Sequence, residues 1–370
     1  MQRFLSRLFD RLMKSWSWVL LIVLTILIKW ASWYPEWVES NYTYGVYPMI
    51  TTVQRYLFGW IPFSIGDLFY AFLVLVVLFR SWRFFKLLFR KQLTRSYFVD
   101  AMQQAIFFFL FVYVFFNLLW GLNYNRKGIA HQLQLEVKPY TLQDLDTLTR
   151  TLHYKLNELA SGVTNAQRDS IRKKRDLFQE GRLAYEHASD KYPYLRYKPA
   201  SLKPSIFSYA GNYLGFQGYY NPFSGEAQVN TTIPRFLEPF VTAHEIAHQL
   251  GYGKENEANF VAFLACKDFE SPAFRYSLYF DLYNYASNEM FKRDSVRARE
   301  YFTQLHPRVK EDFDELRKFY RSYKNPIEPI ITWSYGHFLK ANNQPAGKLT
   351  YNEVVAWLIA YYKKFGREQI

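Results

Sequence analysis

Val241-Thr-Ala-His-Glu-Ile-Ala-His-Gln-Leu-Gly251, continued by Tyr252-Gly-Lys-Glu-Asn-Glu-Ala-Asn259, is the stretch around which the rest of the chain is organised. On a helix, positions i and i+4 share a face, so His244 and His248 can offer two imidazole nitrogens to one cation. Glu245 lies beside them without being a ligand, where it can serve as a general base toward water. The Gly251-Tyr-Gly253 break ends the first helix and turns the chain. Beyond it stand two candidates for a third ligand, Glu255 and Glu257. They are rotated about 200° from each other at ~3.6 residues per turn, so one of them faces elsewhere. Glu255 is preferred, because Asn259 at i+4 then lies near enough to hydrogen-bond a ligand from behind; a Glu257 ligand is the alternative. Two neutral imidazoles and a carboxylate leave a fourth coordination position open, as a catalytic Zn2+ site requires.

The runs Tyr209-Ala-Gly-Asn-Tyr213 and Gly218-Tyr-Tyr-Asn-Pro-Phe-Ser-Gly-Glu226, the His244-to-Gly251 core and Glu255-Asn-Glu-Ala-Asn-Phe260 resemble the domain of unknown function 3810 family of bacterial membrane proteins. The resemblance extends over nearly the whole chain. It implies an integral-membrane protein carrying a zincin-like domain, and so an architecture rather than a reaction. The Glu-x-Glu-Ala-Asn element is also similar to that of the metallopeptidases related to phage-repressor-cleaving and radiation-response proteases. In that group the first Glu is the third ligand, which favours Glu255.

Working outward, aromatic residues make up 20% and hydrophobic residues 50% of the 370-residue chain, yet its mean hydropathy is −0.22. Apolar residues must therefore be concentrated, and they are concentrated in the first third. The net charge of +14 divides evenly: residues 1–122 carry 12 Lys/Arg against 5 Asp/Glu, and residues 123–370 carry 34 against 27. The first excess fits a positive-inside bias and the second is spread out, so no nucleic-acid partner is expected. The densest run, Arg168 to Arg175, reads as a solvated helix face that could also meet anionic lipid or envelope polymer. The one cysteine, Cys266, rules out an intramolecular disulfide and reads as a small buried hydrophobe.

Three apolar runs, at about 16–34, 62–79 and 102–122, are each of the length that crosses a bilayer, at 1.5 Å rise over a ~30 Å hydrocarbon core. Arg3, Arg7, Arg11 and Lys14 precede the first run. Trp30, Trp33, Tyr34 and Trp37 form an interfacial belt at its far end. Residues 35–62 read as an outer loop with a short interfacial helix around Met49–Phe58. Asp67, near the outer end of the second run, reads as a cap or structural hydrogen-bonder. Arg80, Arg83, Lys86, Arg90, Lys91 and Arg95 form a basic linker before the third run. The expected topology is a multi-pass bacterial cell-membrane protein with its N-terminus cytoplasmic and its C-terminal domain extracytoplasmic.

The expected fold is mainly α. A three-helix transmembrane region, 1–122, is followed by an α-rich, zincin-like (α+β) domain with a small sheet, 123–370. In that second part, helices are expected from Thr141, over about 165–188, 272–290, 294–305, 307–323 and 327–341, and after a capping box at Thr350–Glu353. Residues 193–225 read as loops and short strands, ending in a strand over Glu226–Ile233. That strand is either an edge that an extended substrate could join or an ordinary structural strand. Pro239 suits the first turn of the metal helix.

These readings converge on a membrane-anchored zinc metallohydrolase acting on a protein or peptide substrate, with a cell-wall peptide included. The rival is a non-enzymatic membrane scaffold or receptor with a degenerate zincin fold. Tyr209, Tyr219, Tyr335 and His337 are candidate transition-state donors by residue type. His131, His153, His187 and His306 lack ligand spacing and read as surface or packing residues.

Overall fold

The computed structural model describes residues 15–162, 171, 173–342, 344 and 353–370. The N-terminal basic cluster, much of the run from Arg168 and the first residues of the Thr350 capping box lie outside them.

Helix α1, Ser15–Ala31, is mostly apolar, with Lys29 in its last turn. It is followed by a tight bend and a stretch of wide i→i+5 turns over Val38–Val46, which feeds α2, Tyr47–Phe58. The helical segments before and after the bend meet at 102°. Helices α3, Ile65–Phe89, and α4, Arg95–Leu119, follow. Those two are long and apolar enough to cross a membrane; a third span is counted if the bent pair of segments is one. The basic linker expected after Phe79 is largely helix, because Arg80 to Phe89 contains no Gly or Pro and α3 runs on to Phe89 before turning at Arg90–Lys91. Thr94 then starts α4 by accepting from the Tyr97 amide at 3.2 Å, seven residues before the expected start.

After α4 the chain continues as a helical region, called the helical domain below. Its helices are α5, Leu142–Gly162, and α6, Lys174–Lys191, then α7, Ser208–Leu214. Next come α8, Glu238–Gln249, α9, Glu255–Cys266, and α10, Pro272–Arg293. Helices α11, Ser295–Thr303, α12, Pro307–Tyr323, α13, Glu328–Ala341, and α14, Val354–Phe365, complete it. Every residue of α8 and of α9 is buried, so the two helices form the centre of the domain. Phe260 and Phe263 of α9 pack with Tyr361 of α14 at ring distances of 5.7 and 5.4 Å. Truncating a buried Phe of this kind costs roughly 3–5 kcal/mol.

The sheet is small: β1, Leu202–Pro204, β2, Gly218–Asn221, and β3, Glu226–Val229, in the order β1-β3-β2. β3 pairs parallel to β1 and antiparallel to β2. The strand expected over 226–233 therefore ends at Val229 and is central, with both edges occupied, so it cannot take up a substrate strand. The sequence pattern hid this because its two neighbours are only three and four residues long. β2 is the edge on the side of α8.

Polar bonds tie this sheet to α3. Glu226 of β3, fully buried, accepts from the Gly66 amide at 2.6 Å and the Ile65 amide at 3.2 Å. A carboxylate from β3 thus caps the positive end of a membrane-length helix. Asp67, also fully buried, accepts from the Ile206 amide at 2.7 Å and from the Tyr219 hydroxyl. It is the structural hydrogen-bonder expected of it.

Candidate metal centre

Gly251 has φ +85°, in the left-handed region where a side chain would be strained. The turn it permits ends α8 and folds the Tyr252 carbonyl back onto the preceding turn, where His248 Nδ1 lies 2.8 Å away. A carbonyl can only accept, so His248 carries its hydrogen on Nδ1 and presents the Nε2 lone pair to the interior. His244 Nδ1 is held in the same sense by Asn259 Oδ1, at 2.7 Å. Asn259 thus stands behind a candidate ligand, reaching back from α9.

Both Nε2 atoms face one oxygen. Glu255 Oε2 lies 3.1 Å from His244 Nε2 and 3.6 Å from His248 Nε2. Among the described residues, His244, His248 and Glu255 form the group that could hold a metal ion, with ligand atoms all within 4.8 Å of one another. Three lone-pair donors converging in a buried site repel one another unless a positive charge sits among them. Burial works against charging any of the three groups. Even so, the two imidazoles beside it hold Glu255 below the usual carboxylate range, and Glu255 raises His248 above its ordinary value, so that without a metal the triad takes its positive charge as a proton. Burial holds His244 below its ordinary value. With that proton removed, two imidazole nitrogens and a carboxylate oxygen form a set that could hold one metal ion.

Glu245 completes the constellation from the other side. Burial pushes its carboxyl up to about 8, and its Oε2 has no hydrogen-bond partner. It fits because Gly218 at the start of β2 has no side chain: a Cβ there would lie 2.5 Å from Glu245 Oε1. Glu257, the alternative ligand, points elsewhere; its Oε1 lies where a Cβ on Gly128 would stand, on the Arg126 side.

The other candidates separate cleanly. The Tyr335 hydroxyl donates to Glu255 Oε1 at 2.7 Å, leaving Oε2 for the imidazoles. Tyr219 lines the same cavity, but its hydroxyl is engaged with Asp67 and Ser205. Tyr209 is exposed, and exposed His337 turns Nδ1 to the Trp333 carbonyl 2.9 Å away; neither lines the cavity. Tyr285 was missed by sequence reading; it lines the cavity beside Asn259, and its place on α10 carries no motif. Trp120 was missed as well. It sits at the end of α4, donates Nε1–H to the His248 carbonyl at 2.9 Å and lies edge-on to the His248 ring.

The cavity around the triad has a volume of about 740 Å³. Residues 42–359 match the model of the family described as protein of unknown function, DUF3810. No curated protein and no solved structure matches the chain.

Proposed function

The chain belongs to the DUF3810 family, and from that premise and the geometry of its site we propose that it is a membrane-anchored, zinc-dependent hydrolase of peptide bonds with a zincin-like domain. The observation that carries this is the convergence of His244 Nε2, His248 Nε2 and Glu255 Oε2 beside the unpartnered carboxylate oxygen of Glu245. His244, His248 and Glu255 would hold the ion. Zinc in that position supplies Lewis acidity toward a carbonyl and toward water.

The chain's own groups supply the rest. Glu245 takes a proton from the attacking water and delivers it to the amine nitrogen as the carbon–nitrogen bond breaks, leaving a carboxylate and an amine. Asn259 and the Tyr252 carbonyl fix the two imidazole tautomers, and Tyr335 fixes Glu255. Gly218 and Tyr219 of the edge strand β2 line the cavity, where an extended substrate backbone can pair beside Glu245.

The charge pattern supports three crossings with the N-terminus cytoplasmic and the helical domain extracytoplasmic, since Arg80, Arg83, Lys86, Arg90, Lys91 and Arg95 lie between α3 and α4 or at their facing ends. Cys266 is buried, so a membrane-impermeant maleimide would report a cysteine introduced at exposed Glu136 in intact cells. Labelling is expected; protection until the membrane is opened would reverse the topology.

Hydrolysis is tested with the full-length, zinc-loaded chain in detergent against a mixed peptide library. Wild type should cleave, and Glu245→Gln should lose activity about 10²- to 10⁴-fold while keeping its metal. Equal cleavage by the variant would contradict the mechanism.

A further inference from the structure

The cavity that holds the triad does not end inside the helical domain. It continues along α4, where Phe109, Val112, Tyr113 and Phe116 line it below Trp120, and Tyr70 of α3 lines it as well. These α4 positions recur at i, i+3, i+4 and i+7, so they form one stripe on one helix face. A second cavity, of about 530 Å³, shares Phe109 and Tyr113 with the first and extends the stripe to Ile106 and Leu110. From Trp120 to Ile106 the stripe covers ~21 Å at 1.5 Å per residue, well over half of a ~30 Å hydrocarbon core. Phe109 is 71% exposed, so this length of the groove opens sideways off a helix of membrane-crossing length.

We propose that the groove along α4 holds the acyl chain of a lipid-anchored peptide, so that the substrate of the metal site is a peptide tethered to the membrane by a fatty acyl group. This rests on the hydrolase reading above and adds the substrate class. Three observations point to an acyl chain as occupant. The groove is continuous with the site where the scissile bond must lie, so a chain lying in it can belong to the substrate. Its α4 wall carries no charged side chain from Ile106 to Trp120. Its open side, at Phe109, lies on a helix of membrane-crossing length, where an acyl chain can enter from the bilayer.

The experiment is photolabelling of the full-length, wild-type chain in phosphatidylcholine vesicles. The probe is a palmitoylated hexapeptide carrying a diazirine in the acyl chain. Label is expected on the α4 stripe between Ile106 and Phe116, at least tenfold above label on the lipid-facing residues Leu75, Val77 and Leu78 of α3. Palmitoylated hexapeptide without the diazirine should remove the stripe label, and the unacylated hexapeptide at equal concentration should not. Label spread evenly over α3 and α4 would overturn the proposal. So would displacement by the unacylated peptide, or by an equimolar transmembrane helical peptide, which would make a helix the occupant. Labelling requires no cleavage, so its failure is separable from failure of the hydrolase reading: a chain that cuts soluble peptides but takes no acyl label keeps the reaction and loses the groove.

Discussion

Two buried polar clusters meet at the Gly251–Tyr252 turn, and they are built to opposite rules. On one side, Glu39 of the wide-turned segment accepts from Arg126 Nη2 at 3.1 Å, from the Lys127 amide at 2.8 Å and from the Gly128 amide at 3.2 Å. Arg126 in turn donates to the Gly251 carbonyl at 3.3 Å and lies 4.4 Å from the centre of the Tyr252 ring. Against the cost of burial, Arg126 first among its partners holds Glu39 below its ordinary value. On the other side of the same turn, Glu245 Oε2 and Asn259 Nδ2 have no partner, and Glu255 Oε2 faces two imidazole lone pairs. A cluster whose charges are saturated fixes the chain. A cluster with convergent, unanswered donors is arranged for something that arrives from outside it.

The largest effect that bears on this contrast is in the reaction itself. Glu245→Gln should cost about 10²- to 10⁴-fold in peptide hydrolysis with zinc retained, because it removes a proton acceptor and little structure. On the saturated side, Glu39→Ala takes from buried Arg126 the carboxylate it pairs with and should destabilise the fold by roughly 3–5 kcal/mol in denaturant titrations. A variant as stable as wild type would make that cluster dispensable. A smaller effect is expected behind the ligands. Asn259→Ala should weaken zinc affinity about 10- to 100-fold in competition with a chelator, since His244 loses the partner that fixes its tautomer. Unchanged affinity would show that Asn259 orients nothing.

The smallest effect tests whether an unanswered carboxylate outside the triad behaves differently. Asp281 of α10 is buried, its Oδ2 has no partner, and burial pushes its carboxyl up to about 8. Its folded pKa lies above its unfolded value, so the folded state holds a proton that the unfolded chain has released. Its contribution to stability is fully present below about pH 4 and declines by up to about 1.4 kcal/mol per pH unit as pH rises toward 8. Asp281→Asn should flatten that decline; a pH–stability curve that keeps its slope would remove Asp281 as the cause.

The saturated and the unanswered clusters also differed in how much of them could be read from the sequence. His244, Glu245, His248 and Glu255 lie within twelve residues, and helix periodicity with a glycine break is enough to put the two histidines on one face, bring Glu255 opposite them and turn Glu257 away. The supporting side was not readable, because its partners are far apart in the chain: Glu39 with Arg126, Glu226 with the first amides of α3, Trp120 with His248, and the Tyr47 hydroxyl with the Gln249 carbonyl 2.7 Å away. No local pattern announces a contact across 160 or 202 residues. The position of β3 was hidden for the same reason. Its partners β1 and β2 are too short to show a period of their own. These long-range bonds bear on experiment too: a fragment starting after Asn125 would lose Trp120 and Tyr47, both of which hold carbonyls at the end of α8.

The most direct test of the account is therefore the metal content of the full-length chain, purified in detergent without added chelator, for wild type and His248→Ala side by side. The account predicts near-stoichiometric zinc in the wild type and its loss in the variant, with both chains folded. A well-folded wild type that holds no metal after exposure to zinc, or a variant that keeps a full complement, would contradict it.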